Sequence, residues 1–239
     1  MRLRHITFTG IDARTDLQEL QAIQQQYPLA EFGVLTSYHW YENGNRYLDP
    51  QYINELRGEH LNLALHVCGM AVRDASIGRW DLIDKLTWMN LDLFNRVQLN
   101  LANRTDNPPA LAKRAKIKGQ EVIIQQRGVN DMRVYEATDE KFSYKPDRYE
   151  RTFSVLLDAS GGQGIDTPIK VAPPFTAQKV GYAGGITPDN VADKLRYLFE
   201  NVHGGEFWID MESGVRTDDW FDTAKVRRVL EICEPIIKE

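Results

Sequence analysis

The sequence predicts an α/β protein, a TIM (β/α)8 barrel formed by residues 1–239 as a single domain. Three observations predict it. Short apolar runs alternate with longer amphipathic ones from end to end. The alternation repeats at about 30 residues per unit, the size of one strand–helix–strand step. Eight such units fill the 239 residues, close to the length of about 250 typical of a closed eightfold barrel. Strict alternation of strand and helix also demands parallel strands, because each must be reached by a crossover. An open doubly wound sheet would need a G-x-G-x-x-G turn after the first strand, and TGIDARTD (Thr9–Asp16) does not provide one.

The predicted strands are residues 5–10, 30–37, 62–69, 95–100, 121–126, 153–158, 179–184 and 206–211. Between them lie helical patterns. Leu17, Leu20 and Ile23 recur three residues apart, Val191, Leu195 and Leu198 recur at similar spacing, and Trp220, Ala224 and Val226 lead into Val229 and Leu230. Thr187 followed by Pro188 reads as a helix start, with a hydroxyl cap and a proline at the first helical position. Residues 37–50 and 136–150 are the densest irregular stretches. The first follows a strand and falls on the face where barrels keep their chemistry; the second precedes a strand and reads as an excursion on the opposite face.

Composition narrows the function classes. The chain is 42% hydrophobic and 26% charged, with a formal net charge of -5, which gives no reason to expect nucleic acid or an anionic membrane as a partner. The basic cluster Ala112–Lys118 reads as a helix C-terminus, where cations offset the helix dipole. Two cysteines, Cys68 and Cys233, do not make a disulfide framework, so a reducing, cytoplasmic setting is expected. No run approaches the 18 or so apolar residues of a membrane span. The five histidines form no H-x-H or H-x-x-x-H pair, so neither a metal nor a cofactor is expected. The oligomeric state is left open.

The chemistry should sit where the strands end. Three successive late loops are glycine-rich: Gly161, Gly162 and Gly164 after strand 6, Gly184 and Gly185 after strand 7, Ser213 and Gly214 after strand 8. Glycine lets backbone N–H groups approach a ligand without an intervening Cβ. Combined with a helix N-terminus, such loops suit a phosphate, and a phosphorylated small molecule is the expected partner. Asp158 ends strand 6 at the first of these loops. It can serve acid–base chemistry or cap its own loop.

LLDASGGQG (Leu156–Gly164), AGGITPDNV (Ala183–Val191) and FWIDMESGV (Phe207–Val215) resemble the last three strand–loop units of the phosphoribosylanthranilate isomerase family. GNRYLDP (Gly44–Pro50), NRVQLN (Asn95–Asn100) and TFTGI (Thr7–Ile11) extend the resemblance forward in order, more thinly. It implies an intramolecular aldose–ketose isomerase of tryptophan biosynthesis, performing an Amadori rearrangement of a phosphoribosyl amine. It further implies that Asp158 is the acid that protonates the ring oxygen, that Arg46 pairs with the substrate's aromatic carboxylate, and that Asp210 and Asn100 occupy substrate-facing positions.

The pattern breaks at the base. The family has a cysteine at the end of strand 1, and this chain has Thr9, whose hydroxyl takes no proton near neutral pH unless another base activates it. Asn100 ends strand 4 where the family has histidine. Asp12 and Glu212 are the candidate replacements, with Cys68 and His66 behind them. The aromatics Tyr38, His39, Trp40, Tyr41 and Tyr47 could stack on a planar ligand or on one another. The alternative to an isomerase is a non-catalytic or divergent phosphate-binding barrel that kept the pocket and lost the original base. A related barrel with epimerase, lyase or synthase chemistry is a third possibility.

Overall fold

A computed structural model of the protein describes residues 1–39, 44–76, 79–100, 120–127, 153–171, 179–203 and 205–238. Eight parallel strands close into a barrel in chain order. They are β1 (Arg2–Thr9), β2 (Ala30–Thr36), β3 (Leu63–Val67), β4 (Arg96–Leu99), β5 (Glu121–Arg127), β6 (Phe153–Asp158), β7 (Val180–Ala183) and β8 (Glu206–Met211). The described helices are α1 (Leu17–Gln26), α2 (Pro50–Glu55), α3 (Met70–Ser76), α4 (Trp80–Leu86), α5 (Val191–Asn201) and α6 (Thr223–Lys238). Residues 101–119, 128–152 and 172–178, which include the basic cluster 112–118 and the stretch 136–150, lie outside the described residues. Among the described residues no helix is long and apolar enough to cross a membrane.

Period-2 alternation sorts the strand residues into two sets. One set, including Phe8, Phe32, Val34, Leu65, Val97, Ile124 and Phe207, is buried in one continuous core with helix residues such as Leu20, Ile23, Leu195 and Val229. The other set points into the barrel and is unusually polar. Ile123, Leu156 and Trp208 form a separate small apolar cluster. Gly181 makes room for it, since a Cβ there would collide with the Trp208 indole. Beside it Glu31 and Arg96 form an ion pair at 3.2 Å with side chains 0% and 3% exposed. Thr7 Oγ1 donates to Glu31 at 2.8 Å, and the Arg96 guanidinium lies 4.2 Å from the Trp208 ring centroid. Glu31 Oε1 and Arg96 Nε have no hydrogen-bond partner among the described residues. Burial pushes the Glu31 carboxyl up, and Arg96 pulls it back.

A feature not anticipated from sequence follows β8. Arg216–Thr217 (β9) and Trp220–Phe221 (β10) pair antiparallel across a two-residue turn, in which Asp218 and Asp219 both have positive φ, 51° and 61°. That is the hairpin geometry whose twist matches the flanking strands. The hairpin locks onto the loop after β1. Arg216 pairs with Asp12 at 3.2 Å and donates to Gly10 O at 2.5 Å, while Phe221 N donates to Asp12 Oδ2 at 2.6 Å.

The loops after β6, β7 and β8 interlock at glycines. A Cβ on Gly164 would collide with Ser213, one on Gly185 with the Ile165–Asp166 peptide, and one on Gly214 with the Ile186 carbonyl. Lys194 of α5 ties two of these loops together, donating to Gly184 O at 3.1 Å and Thr167 O at 2.9 Å.

Arg96→Met leaves Glu31 buried without its cation, so it should cost about 3–5 kcal/mol in urea unfolding. The loss should deepen as pH rises, because it is the ionised Glu31 that Arg96 stabilises. Gly185→Ala should destabilise well beyond the roughly 1–2 kcal/mol of left-handed strain alone. Gly161→Ala, also at positive φ but with open space around its Cβ position, should stay within that range.

Candidate active site

The C-terminal ends of the strands enclose a cavity of about 410 Å³ to which every strand, or the residues directly following it, contributes. Its described charged lining is one guanidinium, Arg46, and three carboxylates, Asp158, Asp210 and Glu212. Their hydrogen-bond partners distinguish them sharply.

Asp158 is 6% exposed and fixed on both oxygens. Oδ1 accepts from Ser160 N at 3.1 Å and Ser160 Oγ at 2.8 Å, and Oδ2 accepts from Gln125 Nε2 at 3.0 Å. The Asp-x-Ser spacing makes this a local side-chain-to-backbone turn. Three of the roughly four lone-pair sites of a carboxylate are therefore taken.

Asp210 is held differently. Thr9 Oγ1 donates to Oδ1 at 2.8 Å. Oδ2 accepts no hydrogen bond among the described residues and is open to the cavity. The carboxyl is pushed up to about 7, chiefly by burial; Thr9 and Arg96 oppose the shift, while Glu212 and Glu31 add to it.

Glu212 accepts from Arg46 Nη1 at 2.8 Å, and Arg46 Nε donates to Asp219 of the hairpin turn, also at 2.8 Å. A β-bridge between Tyr47 and Leu35 brings this segment alongside the end of β2. Asp12 does not line the cavity. It is 1% exposed, and its carboxylate is taken by Arg216, Phe221 N, Arg14 N and Thr15 Oγ1. The structure thus brings together Thr9, Asp158, Asp210, Glu212, Arg46 and Asn100, and leaves Asp12 in the closure of the barrel.

The β3–β4 side of the cavity is an uncharged network. His66 is buried and lowered to about 3, by burial first and Arg96 second, so its ring is neutral. Gln98 Nε2 lies 3.1 Å from His66 Nδ1 and 3.0 Å from Asn100 Oδ1, and Asn100 Nδ2 contacts Cys68 Sγ at 3.2 Å. Of the aromatic stretch, Tyr47 lines the cavity and Tyr38 donates to Asp74 at 2.7 Å. Trp40 and Tyr41 lie outside the described residues.

The opposite side is built by the interlocked loops. Gly162, Gly164, Gly184, Gly185 and Ser213 line the cavity, whereas Gly161 and Gly214 do not. The N–H groups of Gly162, Gly184 and Gly185 carry no hydrogen bond among the described residues. α5 begins at Val191 with Asn190 at its N-cap and no side-chain cap bond, so Thr187 and Pro188 are not the cap and first helical residue that the sequence suggested; they form the turn before the helix, where Val191 N donates to Thr187 O at 3.0 Å and Asp189 N to Thr187 Oγ1 at 3.3 Å. Sequence reasoning missed Ser160 and Gln125, which hold Asp158. The Asp-x-Ser spacing was a usable signal for the first, and nothing local marks the second.

No curated protein matches the chain in sequence. The sequence model of the family described as N-(5'phosphoribosyl)anthranilate (PRA) isomerase matches residues 117–232. In fold the chain is similar to N-(5'-phosphoribosyl)anthranilate isomerase from Pyrococcus furiosus, with a TM-score of 0.58 at 16% identity over 97% of this chain and 98% of that one. It is similar also to phosphoribosyl anthranilate isomerase from Thermococcus kodakaraensis, with a TM-score of 0.56 at 13% identity over 96% and 98%. At these identities the solved structures establish the barrel, and the sequence match carries the relationship. Over that segment, just under half of the chain, the sequence is similar to the phosphoribosylanthranilate isomerase family.

Proposed function

We propose that the protein is an aldose–ketose isomerase acting on a phosphorylated ribose derivative. The observation that carries this reading is the single cavity joining two halves of the chemistry. Free amides of the glycine loops stand on one side of it, and carboxylates held at the ends of β6 and β8 stand on another. The amides and the N-terminus of α5 bind the phosphate, remote from the reacting carbons, and so supply binding energy and position. Asp158 is the proton donor to the ring oxygen. Ser160 and Gln125 fix its rotamer, which leaves its remaining lone-pair site to meet that oxygen.

Ring opening gives an imine, and loss of the C2 proton followed by reprotonation gives the aminoketose. All bond changes are proton transfers, so a rigid polar pocket suffices. The replacement of the family's cysteine by Thr9 favours the other reading, a barrel that binds a sugar phosphate without turning it over. The two separate on one variant and one strain. Asp158→Asn should lower turnover of N-(5'-phosphoribosyl)anthranilate at least 100-fold while calorimetric affinity for inorganic phosphate stays within about threefold. Equal loss of both would make Asp158 a loop-shaping residue. Restored growth of a tryptophan auxotroph lacking the isomerase supports the enzyme; phosphate binding with no growth and no turnover supports the binder.

A further inference from the structure

The proposed reaction needs a group to take the C2 proton, and the residue types alone do not supply it. Thr9 stands where the family's cysteine is expected, and Glu212 and Asp12 are the carboxylates the sequence offers in its place. Each is otherwise engaged. Glu212 is paired with Arg46, whose other edge meets Asp219. Asp12 is enclosed by Arg216, the Phe221 amide and the Thr15 hydroxyl. Asp158 has one lone-pair site left, and the reading above assigns it to the ring oxygen. His66 lines the cavity, but Gln98 occupies its Nδ1. Cys68 has its sulfur against the Asn100 amide.

We propose that Asp210 is the general base of this site and that Thr9 is its positioning residue, the pair together taking the place of the missing thiol. This rests on the isomerase reading above. Asp210 lines the cavity with Oδ2 free while Thr9 Oγ1 holds Oδ1 at 2.8 Å. Strand closure sets that contact: β1 and β8 are neighbours, so the end of β8 lies beside the end of β1. The carboxylate therefore reaches the flank from which a strand-1 base would act. A threonine suits the neighbouring position better than a cysteine here, because its hydroxyl donates to the carboxylate and cannot compete with it for the proton. In the step itself Oδ2 accepts the C2 proton, the C2–H electron pair becomes the second C1–C2 bond, and the π pair of the protonated imine moves to its nitrogen, leaving a neutral enaminol. Asp210 or solvent then returns a proton at C1 while the C2 hydroxyl gives its proton to solvent and becomes the ketone carbonyl.

The electrostatics agree. Several groups face Asp210. Thr9 on β1 and Arg96 on β4 favour its ionised form; Glu31 on β2 and Glu212 at the end of β8 disfavour it. Burial, joined by the two glutamates, outweighs Thr9 and Arg96 and lifts the carboxyl to about 7. Asp158, Arg46 and neutral His66 complete the ring around the cavity. A base poised near working pH is the efficient one.

The test follows C2–H exchange of ribose 5-phosphate in D2O by proton NMR, together with the pH profile for N-(5'-phosphoribosyl)anthranilate. In the wild type, exchange should occur and its rate should rise with pH through about 7. Asp210→Asn should lose at least 1000-fold in exchange and turnover while binding inorganic phosphate as the wild type does. Folding of that variant is checked independently. A carboxyl raised in the folded state loses stability as pH rises through its folded pKa. Asp210→Asn should therefore unfold at a higher temperature than the wild type at pH 8, with the gap closing toward pH 5. Thr9→Val should move the acid limb to higher pH, because it removes a donor to the ionised form, and Thr9→Ser should restore it. Exchange surviving in Asp210→Asn overturns the assignment, as does a pH profile unmoved in Thr9→Val. Wild-type binding of phosphate with no exchange overturns it too and favours the non-catalytic barrel. Failure of phosphate to bind at all removes the site reading itself.

Discussion

Everything at the mouth of this barrel depends on β1 closing against β8. That closure joins Thr9 to Asp210 and Gly10–Asp12 to Arg216, across 201 and more than 200 residues of chain. Its outer seal is a buried ion pair whose carboxylate is well partnered. Arg216 and Asp12 have side chains 3% and 1% exposed, and the carboxylate takes further donors from the Phe221 and Arg14 amides and the Thr15 hydroxyl. A buried pair so surrounded recovers much of its desolvation cost. The short hairpin exists in these terms to deliver Arg216 and the Phe221 amide. The same turn extends Asp219 to Arg46. One structural device therefore seals the barrel and fixes the rim of the cavity.

The interior shows a second consequence of closure. Outward-facing strand residues bury against helices and are apolar, whereas inward-facing ones share a narrow space with few hydrogen-bonding partners. The chain fills that space with Thr7, Glu31, Arg96, Gln98 and Gln125 around the small cluster of Ile123, Leu156 and Trp208. The Glu31–Arg96 pair is less well satisfied than Asp12–Arg216: among the described residues Glu31 Oε1, Arg96 Nε and Arg96 Nη1 lack hydrogen-bond partners, against Arg216 Nε alone in the other pair. Arg96 compensates in part by lying on the Trp208 face. Its positive field also reaches upward. It helps hold His66 neutral, and it moderates the rise of the Asp210 carboxyl. Structural charge in the middle of the barrel thus tunes the groups at its open end.

This division explains which features could be read from sequence. The eightfold alternation, the Asp158 loop and the three glycine-rich turns are local patterns, and each carries its signal within about ten residues. The polar residues that alternate with apolar ones along β4, β5 and β8 were visible too, but a strand's parity does not say which face is the barrel's inside. The different surroundings of Asp12 and Asp210 were not legible. Both are acidic residues at strand ends, and only the three-dimensional partners separate them. Among the described residues Asp12 meets a cation and three other donors, while Asp210 meets a single hydroxyl. Those partners are contributed by strands and turns at opposite ends of the chain, so no window of sequence contains the distinction. Gln125, which orients Asp158 from a neighbouring strand, was hidden for the same reason.

The glycines acquire a further meaning from the charges around them. Among the described residues lining the cavity, Arg46 is the single formal cation, and Glu212 and Asp219 already hold it. A lysine or arginine added to the late loops would be drawn toward the three carboxylates of the same cavity, and would lower the carboxyl of Asp210 that burial has raised. Backbone amides and a helix N-terminus carry only partial charge, fixed in direction and short in range. They can meet a phosphate on one wall without neutralising carboxylates on another. The interlocking of the loops at Gly164, Gly185 and Gly214 is the steric condition for such an arrangement, since any Cβ at those positions would push the loops apart. A phosphate held by backbone amides, as proposed above, would therefore leave in place the raised carboxyl that burial gives Asp210.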